Sequence, residues 1–170
     1  MKEENFSVTI NNLTIDDSLT SEKFLPMKNE LVEFLITILQ EINRLEQEIF
    51  NRSEKLKNPK EPNQVQPGED ELWEEYTSRY RKIVSPIFLD TTQGNPDSFG
   101  NPAKYDYLLY PDTKLIFIMK SENRAVVEIE FYQSIGKKEQ FVLKKEIENW
   151  KIATKKYGFI GENTWHKDSL

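Results

Sequence analysis

The 170-residue chain has no cysteine, one histidine and six glycines, and each shortage removes a class of chemistry. Without cysteine there is no disulfide framework, no thiol nucleophile and no thiolate zinc site. With His166 as the only histidine, no histidine cluster can hold a metal. A Ser-His-Asp arrangement would have to rest on that residue, close to the end of the sequence in a stretch prone to fraying, and no G-x-S-x-G elbow occurs. Gly94 and Gly100 bracket the run GNPDSFG, which lacks the Lys-Ser/Thr of a phosphate-binding loop, so both read as turn glycines. No apolar run approaches membrane-spanning length. The opening MKEENFSVTINN carries acids where a secretion signal has a basic start and an apolar core, so cytoplasmic residence is expected. Under that expectation the sequons at Asn12 and Asn51 are chance matches.

Basic residues are also in deficit, 23 against 29 acids, for a net charge of −6. The deficit is uneven: residues 1–113 hold 12 basic and 21 acidic residues, whereas 114–170 hold 11 and 8. A chain of this sign gains nothing from displacing counterions on phosphate, which argues against a nucleic-acid partner. An acidic face can instead steer a basic protein partner. What the chain does have is ten Phe, seven Tyr and three Trp. Each large aromatic removes roughly 150–250 Å² from water, so one aromatic-rich core, and one domain, is expected at this length.

Along residues 1–25, Phe6, Val8 and Ile10 alternate with polar positions and read as a short strand or extended arm. From Met27, Leu31, Leu35, Ile38, Ile42, Leu45 and Ile49 step by fours and threes, with Phe34 and Leu39 widening the stripe. That spacing predicts a core-facing amphipathic helix over 27–57, stopped by Asn58-Pro59. Residues 58–68, rich in proline, form a linker. A second helix over 69–84 opens with Glu69, Asp70 and Glu71, which suit the positive end of the helix dipole, and ends at Ser85-Pro86. Its inner face is expected to hold Leu72 or Trp73, then Tyr76, Tyr80 and Ile83, with Trp73 placed in the core. After a Gly/Asn/Pro-rich loop at 90–102, residues 105–110, 114–120, 124–133, 139–145 and 149–154 read as strands. In the third, Ala125, Val127, Ile129 and Phe131 define an apolar face. Short connections make neighbours antiparallel, so the fold is α+β, with helices on one face of a sheet covering 105–155.

The remaining candidates for acid–base chemistry are carboxylates. Glu128 and Glu130 lie on the mixed face of the 124–133 strand, where acids usually meet solvent. Asp106 sits between Tyr105 and Tyr107, where a structural hydrogen bond is the expected role. No convincing catalytic set, metal site or cofactor motif emerges.

Three segments carry a resemblance. They are Tyr76-Thr77-Ser78-Arg79-Tyr80-Arg81-Lys82, then Gly100-Asn101-Pro102-Ala103-Lys104-Tyr105-Asp106-Tyr107, and the hairpin FVLKK at 141–145 with ENWKI at 148–152. Taken with the long helix, they resemble the immunity-protein family built on the nuclear transport factor 2 fold, whose members accompany bacterial polymorphic toxins. The resemblance spans roughly residues 28–157. It implies a cone in which the helices pack into a strongly curved antiparallel sheet. It also implies a non-catalytic role, binding and blocking a cognate toxin domain, with no cofactor. Asn101, Tyr105, Asp106, Tyr107 and Glu130 are then candidates for a pocket or partner surface. Glu69, Asp70, Glu71, Glu74 and Glu75 are candidates for steering a basic toxin, although each also serves simply as a solvated acid near a helix start. Two alternatives stay open. One is a small-molecule binder or enzyme using the cone, and the other is an assembly module acting as a homodimer.

Overall fold

A computed structural model of the chain describes residues 8–89 and 99–170. Its elements are β1 (Thr14–Asp16), α1 (Lys28–Leu56), α2 (Glu69–Val84), β2 (Lys114–Ser121), β3 (Arg124–Gln133), β4 (Ile135–Glu146), β5 (Asn149–Phe159) and β6 (His166–Asp168). Short 3-10 turns occupy Ile10–Asn12, Glu22–Met27 and Asp106–Leu109. The six strands form one open sheet in sequence order, antiparallel except for the parallel β1–β2 pair. Both helices pack on one face of it, so the chain is α+β as its pattern of elements implies.

The α1 stripe is spent entirely on the chain's own core. Leu31, Leu35, Ile38, Ile42, Leu45 and Ile49 are all buried, against Leu115, Phe117, Val127 and Phe141 of the sheet. The helix ends where Lys57 turns extended ahead of Asn58-Pro59. Before α2, Gly68 has φ +94°, a left-handed conformation that glycine takes without steric cost, and the Glu69 carboxylate accepts from the Gln66 N–H at 2.7 Å. The buried face of α2 is Leu72, Tyr76, Tyr80 and Val84. Trp73, expected in the core, is instead 42 % exposed, because Leu72 takes the inward position one residue earlier.

Three boundaries differ from expectation. The 8–10 segment is not a strand: Val8 is buried with both its main-chain groups held by the Gln40 side chain (3.3 and 2.6 Å), and a 3-10 turn follows. Phe6 lies outside the described residues, as do residues 90–98 of the Gly/Asn/Pro-rich loop. Residues 105–110 alternate like a strand yet form a 3-10 turn, since α1 supplies the hydrogen-bond partners that a neighbouring strand would have given. The main antiparallel sheet therefore begins at Lys114 rather than at 105, and it runs to Asp168. The β3–β4 connection is tighter than the SIGKK stretch suggested. Gln133 pairs with Ile135, leaving Ser134 alone at the turn with φ +67°.

The sheet edges are occupied by short pieces of the same chain. Beside β2, past the three residues of β1, the Ser21 N–H donates to Met119 O at 3.0 Å and the Thr20 hydroxyl to Phe117 O at 2.7 Å. Beside β5, Leu89 N–H donates to Ile152 O (2.9 Å) and Ile152 N–H to Ile87 O (2.7 Å), while β6 covers residues 155–157.

Candidate binding cavity

The inner face of the sheet changes character along its length. Under the helices it presents Val127, Phe141, Leu143 and Ile152, each with no exposed surface. Further along the same face come Lys137 and Glu139 of β4, Lys155 of β5 and Asp168 of β6. Lys155 reaches this face because of a bulge. Val142 pairs with Thr154 but Leu143 pairs with Ile152, so Ala153 is an extra residue on β5 and the alternation resets after it. Without the bulge, Lys155 would point to the opposite face.

The Lys155 side chain is fully buried, and its ammonium lies 2.7 Å from Asp168 Oδ2, 3.2 Å from Glu139 Oε2 and 3.1 Å from Ser169 O. Burial alone acts to lower its pKa, but the charges of Glu139 and Asp168 outweigh it and hold the group above its ordinary value. The other Glu139 oxygen accepts from the Tyr107 hydroxyl. The Tyr107 ring in turn stacks on Phe131 at 3.9 Å between centroids and 8° between planes. Burial, then the Glu139 charge, raises the Tyr107 pKa well above the usual phenol value.

A second layer comes from α1, whose face toward the 103–107 segment carries polar side chains. Asn43 accepts from the Tyr105 N–H (2.9 Å) and donates to Asp106 (2.8 Å), Gln47 donates to Asp106 (3.1 Å), and Glu46 accepts from the Lys104 N–H (2.8 Å). Burial raises the Glu46 pKa to about 7, with the Lys104 N–H and charge opposing it. The Lys104 ammonium donates to Ser169 O at 2.8 Å. Burial first, and the nearby Lys155 charge second, lower its pKa to about 8.

Between the 102–110 segment and this end of the sheet lies a cavity of about 340 Å³. Lys104, Tyr107 and Tyr110 form one wall; Phe131, Lys137, Glu139, Tyr157, Phe159 and Asp168 form the other. The β5–β6 connection closes tightly beside it, since a Cβ on Gly158 would meet Thr164 O at 2.8 Å.

Of the five residues singled out as pocket candidates, Tyr107 alone lines the cavity. Tyr105 is fully buried behind it, and its hydroxyl has no hydrogen-bond partner among the described residues. Asp106 has the structural role expected of it, held by two α1 side chains. Asn101 is exposed outside the cavity wall, and Glu130 is on the opposite face of β3 from Ile129 and Phe131. Sequence reasoning missed Lys104, Lys137, Glu139, Lys155 and Asp168. His166 is exposed on β6 with its ring 5.1 Å from that of Tyr157.

The α2 acids divide. Glu69 is used at the helix start, and Glu75 is tied to Arg52 (3.1 Å) and Arg79 (3.2 Å). Asp70, Glu71 and Glu74 are exposed and have no ion-pair partner among the described residues. Next to them the half-exposed Trp73 leans on Tyr76 and Phe99, with ring centroids 5.6 and 5.7 Å away. It borders an open groove of about 810 Å³ that also takes in Glu74, Thr77, Arg81 and Pro86.

Among the described residues, no group of three or more His, Asp or Glu side chains is placed to hold a metal ion, and no helix is long and apolar enough to cross a membrane. Compared with family models, curated proteins and solved structures, the chain matches none of them.

Proposed function

We propose that this chain is a non-catalytic immunity protein that binds a cognate bacterial toxin domain in the producing cell and blocks it. The observation that carries this reading is the outer part of α2, where Trp73 stands 42 % exposed beside Glu74 at an open groove, with Asp70 and Glu71 exposed on the preceding residues of the same helix. A half-buried tryptophan with its edge packed is the typical shape of an interface anchor. Acids of the same helix that have no ion-pair partner among the described residues supply the long-range attraction that speeds encounter with a basic partner. The bonding of Glu139, Asp168 and Asp106 supports binding over catalysis. Glu139, Asp168 and Lys155 satisfy one another, and Asp106 is consumed by α1, so these acids are held in structural bonds.

The test is growth rescue. The reading expects a secreted protein with a variable C-terminal domain to be encoded directly upstream, and that domain is the one to co-express with this chain; a neighbourhood without such a protein counts against the proposal. Rescue of growth and a stoichiometric complex on size-exclusion chromatography are expected. Trp73→Ala should weaken the complex at least tenfold, and the Asp70→Lys, Glu71→Lys, Glu74→Lys triple variant should slow association and flatten its salt dependence. Failure to form a complex with that domain, or rescue indifferent to both variants, overturns the proposal.

A further inference from the structure

We propose that the cavity at the sheet end is a binding site for a small aromatic anion, with Lys104 and Lys137 holding the anionic group and the rings of Tyr107, Tyr110 and Tyr157 flanking the aromatic body. The inference is independent of the toxin reading, because the cavity shares no lining residue with the groove at Trp73.

Charge carries the first part of the argument. Lys104, Lys137 and Lys138 line the cavity with Glu139 and Asp168, but both carboxylates are turned onto Lys155, which is itself sealed from solvent. Among the described residues no carboxylate lies within 4 Å of any of the three lining ammonium groups. Lys104 rests on neutral oxygens of Ser169, and Lys138 on Glu162 O (2.6 Å) and over the Trp165 ring at 4.3 Å. Lys137 has no hydrogen-bond or ion-pair partner among the described residues. In a chain of net charge −6 this concavity is therefore a local cationic surplus. Cations gathered in a concave, poorly solvated wall repel one another and focus their field on whatever enters, so an anion there relieves the repulsion.

Shape carries the second part. At about 340 Å³ the space is at the small end of ligand pockets, which run from about 300 to 1,000 Å³. The Tyr107 ring is nearly buried and locked by its stack on Phe131 and its bond to Glu139, so the part of the lining it supplies is rigid and needs no reordering to receive a ligand. Tyr110 and Tyr157 extend the aromatic lining. A few fixed polar groups among aromatic walls are what orient small ligands.

The experiment uses phenyl phosphate and benzoate as probes, with inorganic phosphate and benzyl alcohol as controls, titrated to about 10 mM while backbone amide resonances are followed. Expected are saturable shifts at Lys104, Lys137, Tyr157 and Phe159 with either aromatic anion, at least tenfold weaker with both controls. Lys137→Glu should lose the binding at least tenfold while keeping a dispersed spectrum, and Lys137→Gln should lose it less. Three results each overturn the proposal: no saturable shift at these residues, equal binding of benzyl alcohol, or equal binding of inorganic phosphate. Unchanged affinity in Lys137→Glu overturns the assignment of that lysine.

Discussion

Across the α1–α2 interface, Arg52 and Arg79 meet Glu48 and Glu75 in water; at the far end of the sheet, Lys155 meets Glu139 and Asp168 out of it. The residue types are nearly the same, yet the physical consequences are opposite. In the helical layer, four side chains each more than a third exposed gain little, because water screens them and holding long side chains still costs entropy. At the sheet end, Lys155 is fully buried and Glu139 nearly so, with Asp168 largely covered, so removing any one leaves a poorly compensated charge. The surface network is dispensable decoration for the helix pair, whereas the buried triad dictates how β4, β5 and β6 must sit.

The sharpest way to break this comparison is Lys155→Met, which leaves Glu139 and Asp168 facing each other without a counterion. A loss of about 3–5 kcal/mol in urea unfolding is expected. A loss under about 1 kcal/mol would show that the triad is solvated like the surface set. Next is Glu46→Gln, which keeps an oxygen for the Lys104 N–H. The pKa of Glu46 is raised in the folded state, so the folded protein binds more protons than the unfolded chain between about pH 4.5 and 7, and stability falls across that window. The Gln variant should lack this part of the slope and gain about 2–3 kcal/mol by pH 7.5, measured by urea melts from pH 5 to 7.5. The opposite slope from Lys104, whose pKa is depressed to about 8, begins only above that range. Tyr107→Phe removes one hydroxyl from Glu139 and is expected to cost about 1–3 kcal/mol with the ring stack retained, read from a thermal melt. Arg79→Ala closes the series at less than about 1 kcal/mol, and that difference should vanish in about 1 M salt.

How much of this was legible in the sequence follows from period and range. The α1 stripe and the β3 alternation were readable because each repeats within its own segment, and the helices, β2 and β3 lie where those periods place them. Trp73 was misjudged because Leu72 and Trp73 are adjacent, and one residue is 100° of helix, a choice only the sheet opposite can make. The 105–110 segment has the alternation of a strand but takes its hydrogen bonds from Asn43, Glu46 and Gln47, more than fifty positions away. Those α1 residues did carry a signal: polar side chains at 40, 43, 46 and 47 form a stripe of their own flanking the apolar one. The cavity was hidden for a different reason. A lysine at 155 reads as outward until Ala153 bulges, and nothing in ATKK distinguishes a bulged strand from a regular one.

The occupied edges of the sheet set a limit on how any partner can engage. An open sheet ordinarily offers its outermost strand as a template for another chain. Here the outermost strands are three residues long, and the stretches beyond them already donate to and accept from Thr20, Ser21, Ile87 and Leu89. Among the described residues this leaves only short lengths of edge for strand addition or for edge-to-edge pairing. With so little edge to template on, the proposed contacts on the tryptophan-bearing helix and in the lysine-lined hollow are contacts to side chains, which read the sequence rather than the backbone.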